Sequence, residues 1–148
     1  TYTTGGVRNI YVTSTKKDDF TANGNTVHWI TNHKYIEYTD AAGNAKKTPE
    51  ASVSTPQLVK ISGSEMMLLW TESTIAVENN KPVTTSTSQK CVLLNGTGEP
   101  ISGIYSFEGP ISDCKPIVND GNLLWYYTNN NQPVFCTLRI SDVRNQPK

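Results

Sequence analysis

Charge is scarce in this sequence and evenly divided between the two signs. Lys and Arg together number 13, Asp and Glu together number 13, and charged residues make up 18% of the chain, against roughly a quarter in a typical globular protein. Domains that bind nucleic acid carry a surplus of basic residues. The zero formal net charge therefore predicts no nucleic-acid partner.

Long apolar runs are missing as well. The longest runs, such as Met-Met-Leu-Leu-Trp at residues 66–70, are far shorter than the roughly 20 apolar residues of a membrane-spanning helix, so we expect no membrane insertion. The apolar content of 36% is low but interspersed through 148 residues, which is typical of a folded domain with a sizeable core. The start at Thr1, without Met or an apolar signal region, favours a processed protein or a piece of a longer one.

Cysteines are few, odd in number and widely spaced. Cys91, Cys114 and Cys136 form no Cys-x-x-Cys pair, so a clustered zinc site is not predicted. Cys91 and Cys136 lie inside apolar, strand-like runs, which favours free, buried cysteines; one disulfide with one thiol left over is the alternative. The abundance of Thr, Ser and Asn resembles that of secreted bacterial surface proteins and favours an extracellular or cell-surface location.

Helical periodicity is nearly absent, because Gly, Pro and Asn interrupt every window with apolar residues at i, i+3, i+4 and i+7. Runs rich in β-branched and aromatic residues instead predict an all-β chain of about ten short strands. Tight turns such as Asn23-Gly24 and Asp120-Gly121 separate these runs. The predicted strands are 7–15, 26–31, 34–39, 57–61, 66–71, 90–94, 103–107, 116–118, 123–128 and 133–140.

One polar segment, residues 73–89, interrupts the pattern of short strands. Its Asn79-Asn80-Lys81-Pro82 sequence is typical of a turn. We expect an exposed hairpin extension without a function of its own, and a long surface loop is the alternative.

A recurrence involves all three tryptophans of the chain, Trp29, Trp70 and Trp125. Each lies on a predicted strand a few residues after a turn glycine. Successive glycines are 39 and 58 residues apart, and the excess of 19 is close to the length of the polar segment. The pattern therefore indicates a repeat of about 40 residues with an insertion in one copy. The three turn glycines are Gly24, Gly63 and Gly121.

A repeat of this length with four strands resembles the blade of a bacterial β-propeller, although no subfamily motif such as Trp-Asp is present. The resemblance implies units at about 20–55, 56–110 and 111–148, with the tryptophans as the structural core of the repeat. In the middle unit the four strands would be 57–61, 66–71, 90–94 and 103–107. Three blades cannot close a ring, so the resemblance implies a fragment of a larger propeller or self-association. A β-sandwich is the alternative fold.

Residues with catalytic or metal-binding chemistry form no motif. His28 and His33 could bind a metal with Glu37 or Asp40 across a turn, but separate structural roles are favoured. Asp18-Asp19, Asp113 and Asp120 carry no spacing that indicates a paired active site. Nucleophile, phosphate-loop and calcium-loop motifs are missing. We therefore predict no catalytic residue, no metal and no cofactor.

Aromatic residues beside amides are the candidate ligand contacts. Neighbours on a strand point to opposite faces, so at least one ring of each tyrosine pair should face away from the core. Such rings could stack on sugars, and packing against neighbouring sheets or a partner is the alternative. The candidates are Tyr35, Tyr38, Tyr126, Tyr127 and Asn129.

The functional hypothesis from the sequence is a non-catalytic, secreted or cell-surface β-repeat scaffold that binds a protein partner or itself. A carbohydrate-binding module is one alternative, and a fragment of a glycoside hydrolase-like enzyme is another.

Overall fold

A computed structural model describes residues 6–19, 21 and 24–148 of the chain. The described part is all-β apart from one short helix, α1 (Ile140–Arg144), which confirms the predicted fold class. Phe20, where the first predicted repeat unit begins, and Asn23 of its turn lie outside the described residues. The strands are β1 (Tyr11–Thr15), β2 (Asn25–Trp29), β3 (Tyr35–Thr39), β4 (Ala45–Pro49), β5 (Ala51–Lys60), β6 (Glu65–Glu78), β7 (Lys81–Asn95), β8 (Tyr105–Phe107), β9 (Ile117–Asn119), β10 (Asn122–Asn129) and β11 (Gln132–Arg139).

These strands form four antiparallel sheets in which sequence neighbours pair. We call β1–β2 the N-terminal sheet, β3–β4 the side sheet, β5–β8 the central sheet and β9–β11 the C-terminal sheet. The central sheet is a meander in the order β5-β6-β7-β8, and it contains the four strands that the sequence predicts for the middle repeat unit, in the predicted order. The other two units do not form the four-stranded blades that the resemblance implies: strands of the first unit lie in two separate two-stranded sheets, and the third unit forms a three-stranded sheet. The sheets do not close into a ring within the described residues.

The polar segment at residues 73–89 forms the end of β6 and the beginning of β7, paired from Ser73 with Thr87 to Glu78 with Lys81. Asn79 and Asn80 turn the chain with positive φ angles of 50° and 62°, a conformation that asparagine tolerates better than most residues. The predicted hairpin extension is therefore confirmed, and the alternative of a long loop is wrong.

Several strand bounds differ from the sequence prediction: β1 begins at Tyr11 rather than at residue 7, and β5 begins at Ala51 rather than at residue 57. Two further differences concern a strand and a helix that the sequence did not predict. Strand β4 was not predicted because its Lys46 and Lys47 are exposed; its strand conformation comes from pairing with β3 along its full length. The predicted strand 133–140 ends one residue early, where α1 begins. Ile140 and Val143 of α1 are both buried, since a spacing of three places them on the same side of the helix.

The central sheet is buried on both faces, which explains its continuous apolar runs. One face packs against the C-terminal sheet and α1, and the opposite face packs against the N-terminal sheet through Ile10 and Val12. The N-terminal, central and C-terminal sheets therefore form a stack of three layers. Core residues on the two faces of the central sheet are Val59, Met67, Leu69 and Leu93 on the first, and Leu68, Trp70, Val92 and Leu94 on the second.

The three tryptophans differ in burial. Trp70 lies between the central and N-terminal sheets, and Trp125 lies between the C-terminal and central sheets, in edge contact with Phe107 at 5.5 Å between ring centroids. Trp29, in contrast, is 64% exposed. The expectation that all three form the buried core of the repeat is not met at Trp29, because no described sheet covers its side of the N-terminal sheet.

All three cysteines are free, and the alternative of a disulfide is not realised. Cys91 is buried in the central sheet, Cys136 is half-buried in β11 and Cys114 is exposed. Burial raises the pKa of the Cys91 thiol to about 12.

We expect a thiol reagent to modify Cys114 rapidly in the folded protein and Cys91 only after unfolding, because the reactive species is an accessible thiolate. Absorbance of released nitrothiobenzoate with and without denaturant measures both reactions. Fast labelling of Cys91 without denaturant would contradict its burial between the sheets, and the Cys114→Ser variant serves as the control for the fast phase.

We expect Leu69→Ala to lower the free energy of unfolding by about 2–5 kcal/mol, because it opens a cavity between the central and C-terminal sheets. Leu58→Ala is the matched control: Leu58 lies on the same sheet but is 43% exposed, so its loss should cost about 1 kcal/mol or less. Urea unfolding at low protein concentration measures both. Equal costs would show that the core does not lie between these sheets.

Candidate functional site

The N-terminal sheet leaves its outer face uncovered. Tyr11 and Trp29 are paired in register, and their rings lie 5.2 Å apart with planes tilted by 54°. Val12, the next residue along β1, packs inward on the core, so Tyr11 and Trp29 must point outward. With the exposed Val27, they form a surface that we call the N-face.

The C-terminal sheet has a corresponding uncovered surface. Tyr126 and Phe135 are paired in register, with ring centroids 6.1 Å apart and planes tilted by 47°. Their neighbours Trp125 and Cys136 point inward to the core, so these two rings point outward. Phe135 is 79% exposed and Ile117, on the same side of β9, is also exposed. We call the surface formed by Ile117, Leu124, Tyr126 and Phe135 the C-face.

The strands beneath both faces are almost without charge. Among the Lys, Arg, Asp and Glu residues of the chain, only Arg139 lies in β1, β2, β9, β10 or β11. The central sheet, in contrast, contains Glu72 and Lys90 among others. Exposed apolar surface with few charges is typical of the core of a protein interface.

A cleft of about 940 Å³ runs beside β1, between the N-terminal sheet and the central sheet. Its lining includes Tyr11 and Trp29, the charged Arg8 before β1, and the central-sheet residues Val53, Leu58 and Leu68. No Asp or Glu lines it in the described part of the chain. The cleft is therefore a partly apolar, partly polar surface beside the N-face, without a pair of facing carboxylates.

The predicted ligand residues are distributed over two sheets. Tyr35 and Tyr38 lie on the side sheet, while Tyr126, Tyr127 and Asn129 lie on the C-terminal sheet. The Tyr35 hydroxyl accepts a hydrogen bond from the Val7 backbone N–H at 3.2 Å, and the Lys47 ammonium lies 5.2 Å from the Tyr35 ring centroid. The structure therefore does not combine these residues into one site, and only Tyr126 belongs to the two faces.

Sequence reasoning missed Tyr11, Val27 and Phe135. The alternation along β11, where Phe135 stands between Val134 and Cys136, does place its ring opposite the side chains of its two neighbours. Which of the two sides is covered depends on the stacking of sheets, and no pattern within one strand contains that information.

The most polar cluster inside the protein surrounds the carboxylate of Glu72. The Trp70 indole N–H donates a hydrogen bond to its Oε2 at 3.2 Å, His33 Nε2 lies 3.1 Å from the same oxygen, and the Lys90 ammonium is paired with Oε1. Glu72 itself is buried, with 6% exposure. The cluster therefore joins β6 and β7 to the segment that follows β2.

Asn9 fixes the His33 end of this cluster. Its side-chain oxygen accepts the His33 backbone N–H at 2.6 Å, and its amide donates to the His33 carbonyl at 3.2 Å. The buried Thr31 hydroxyl in turn accepts the Ile10 N–H at 2.8 Å. These contacts satisfy backbone groups that the short N-terminal sheet leaves without ladder partners.

Burial by itself raises the pKa of Glu72, but the hydrogen bonds from Lys90 and Trp70 and the charge of Lys90 outweigh burial and lower the pKa below its ordinary value of 4.5. The carboxylate is therefore ionised near neutral pH. Because its oxygens are already bound by three neighbours, the geometry is that of a structural ion pair rather than an acid or base open to a substrate.

His33 lies in this cluster and His28 lies in β2, opposite Val12. Residues 6–19, 21 and 24–148 contain no group of three or more His, Cys, Asp or Glu side chains placed to hold a metal ion. The alternative in which the two histidines share a metal with Glu37 or Asp40 is thus not supported by the geometry.

We expect Glu72→Gln to lower the free energy of unfolding at neutral pH by about 1.5–3 kcal/mol, because hydrogen bonds to a charged group are lost. A lowered folded pKa means that this stabilisation is complete above pH 4.5 and disappears as the pH falls through the folded pKa. The variant should therefore lose less stability than the wild type on acidification.

Urea unfolding from neutral to acidic pH measures the effect of Glu72→Gln. Glu78→Gln, at the exposed end of β6, is the matched control and should change stability little. A parallel pH dependence for the wild type and Glu72→Gln would show that the cluster does not stabilise the fold.

No protein family, curated protein or solved structure matches the chain. Among the described residues, no helix has the length and hydropathy needed to cross a bilayer.

Proposed function

We propose that this chain is a non-catalytic interaction domain built as a propeller-type stack of β-sheets, which binds protein through the N-face and the C-face. The observation that carries the proposal is the pair of uncovered, nearly uncharged aromatic surfaces at the two ends of the stack, where Trp29 is 64% and Phe135 is 79% exposed. Soluble domains rarely leave contiguous apolar surface exposed unless a partner covers it.

Three features support the propeller-type description. The central sheet is a four-stranded meander, its two faces are covered by other sheets, and each buried tryptophan faces the next layer of the stack, the N-terminal sheet for Trp70 and the central sheet for Trp125. Blades of a propeller pack face to face in this way. The described sheets contain no Greek-key pairing of the kind expected in a β-sandwich, because sequence neighbours pair throughout them.

The geometry favours a protein partner over a sugar or a glycosidic substrate. A sugar-binding platform needs coplanar rings, whereas the two aromatic pairs are tilted by 54° and 47°. A glycosidase needs two carboxylates across a cleft, and the lining of the cleft beside β1 has none. The composition supports the accompanying proposal of a secreted or cell-surface location.

Photocrosslinking in cells that produce the chain tests the proposal. A photoreactive aromatic amino acid placed at position 29 or at position 135 should form covalent adducts with protein, because both side chains would be covered in the bound state. The matched control is position 104, since Ile104 is apolar and 45% exposed but lies in the connection that precedes β8. Denaturing electrophoresis measures the adducts, and their absence at both 29 and 135 would refute the proposed function.

A further inference from the structure

We propose that the partner of the N-face is the C-face of a second copy of this chain, so that two copies join head to tail into a closed ring of six stacked sheets. This inference rests on the proposed function, since it names the occupant of the same two faces. It follows from the direction of the tryptophans, the composition of the faces, the area they offer and the number of sheets in a ring.

The direction of the tryptophans gives the stack a polarity. Trp70 of the central sheet faces the N-terminal sheet, and Trp125 of the C-terminal sheet faces the central sheet. Trp29 lies on the side of the N-terminal sheet opposite Val12, where it is 64% exposed and also borders the cleft beside β1, and it points outward in the same general direction. By this rule, the surface that would pack against Trp29 is the side of another sheet that carries no tryptophan.

The C-face is a surface of that kind. In the central sheet, the side that receives Trp125 carries Met67 and Leu69, next to Leu68 and Trp70, which point the other way. In the C-terminal sheet, Leu124 and Tyr126 flank Trp125 in sequence and point away from it. The contact of the N-face with the C-face of another copy would thus continue the two sheet-on-sheet interfaces inside the chain.

The composition and area of the faces suit such a contact. Only Arg139 is charged in the five strands beneath them, and among the described residues Arg8 is the one charged residue that lines the cleft beside the N-face, so pairing the faces dehydrates few charges. The four aromatic rings are between 43% and 79% exposed, and covering them would bury roughly 500 Å² per interface. A two-copy ring has two interfaces, so the aromatics alone supply about 1,000 Å² of the 1,200–2,000 Å² typical of stable complexes.

The number of sheets favours two copies. A head-to-tail contact produces either a closed ring or an endless filament, and rings of stacked blades typically contain about four to eight. One copy supplies three stacked sheets, which is too few. Two copies supply six, within the range, while three copies would exceed it.

Sedimentation equilibrium of the purified chain is the primary test. We expect a species of twice 16.3 kDa at high concentration that dissociates on dilution, and no larger species. A monomer at every concentration would overturn the inference, and so would a mass that keeps rising with concentration, since it would indicate a filament rather than a ring.

Complementation between two variants tests the head-to-tail arrangement. Trp29→Asp removes the N-face and Phe135→Asp removes the C-face, so each variant alone should be monomeric. An equimolar mixture should regain a dimer held by the one pair of intact faces, weaker than the wild-type dimer. A dimer of either variant alone would overturn the inference, because it would indicate contacts between identical faces.

Ile104→Asp, an exposed apolar residue outside both faces, is the matched control and should leave the wild-type dimer intact. Circular dichroism checks that each variant is folded, which we expect because Trp29 and Phe135 are largely exposed within one copy. Adducts of positions 29 and 135 with a different protein, combined with a monomeric purified chain, would refute the second copy as partner but would leave the proposed function standing.

Discussion

The need to cover both faces of the central sheet determines the rest of the structure. Strands β6 and β7 place apolar side chains on consecutive positions, at residues 66–70 and 91–94, so neither face can remain in water without a large free-energy cost. The N-terminal sheet covers one face, and the C-terminal sheet with α1 covers the other. Each covering sheet then has an outer side of its own. Because those outer sides also carry apolar residues, apolar surface remains uncovered at both ends of the stack.

Coverage by the N-terminal sheet is the weaker of the two, and polar contacts compensate for it. This sheet has only two short strands, so the apolar area that it buries against the central sheet is small. In the Glu72 cluster, the contact between His33 and Glu72 ties the segment after β2 to the central sheet. The Lys90 ion pair and the Trp70 hydrogen bond hold the carboxylate in place, and Asn9 holds the His33 backbone. A buried carboxylate is costly unless its oxygens are satisfied, and the three neighbours of Glu72 meet that condition. The cluster also fixes the alignment of the segments that it joins, because Glu72, Lys90 and His33 must meet in one register.

Much of the fold follows from local sequence patterns. Alternation and β-branched content indicate most of the strands, the asparagine and glycine turns separate them, and the spacing of the tryptophans predicts the four strands of the central sheet in their observed order. Strand β4 was missed because its lysines are exposed and only pairing with β3 makes it a strand. A local sequence pattern indicates which side of its own strand a residue occupies. It does not indicate which other strand will pair with that strand.

The candidate site was less predictable than the fold, for a related physical reason. Trp29, Trp70 and Trp125 occupy the same position in the predicted repeat, yet two are buried and one is exposed. The difference depends on whether another sheet lies in front of the ring. Likewise, nothing in the residues near Glu72 indicates that His33, 39 residues away along the chain, completes its surroundings.

The polarity of the stack also makes it modular. Each stacked sheet carries a tryptophan on one side and smaller apolar or other aromatic side chains on the other, so any unit can in principle follow any other without a new interface having to arise. The exposed hairpin that continues β6 and β7 shows that the central sheet extends past its packed core without losing strand pairing.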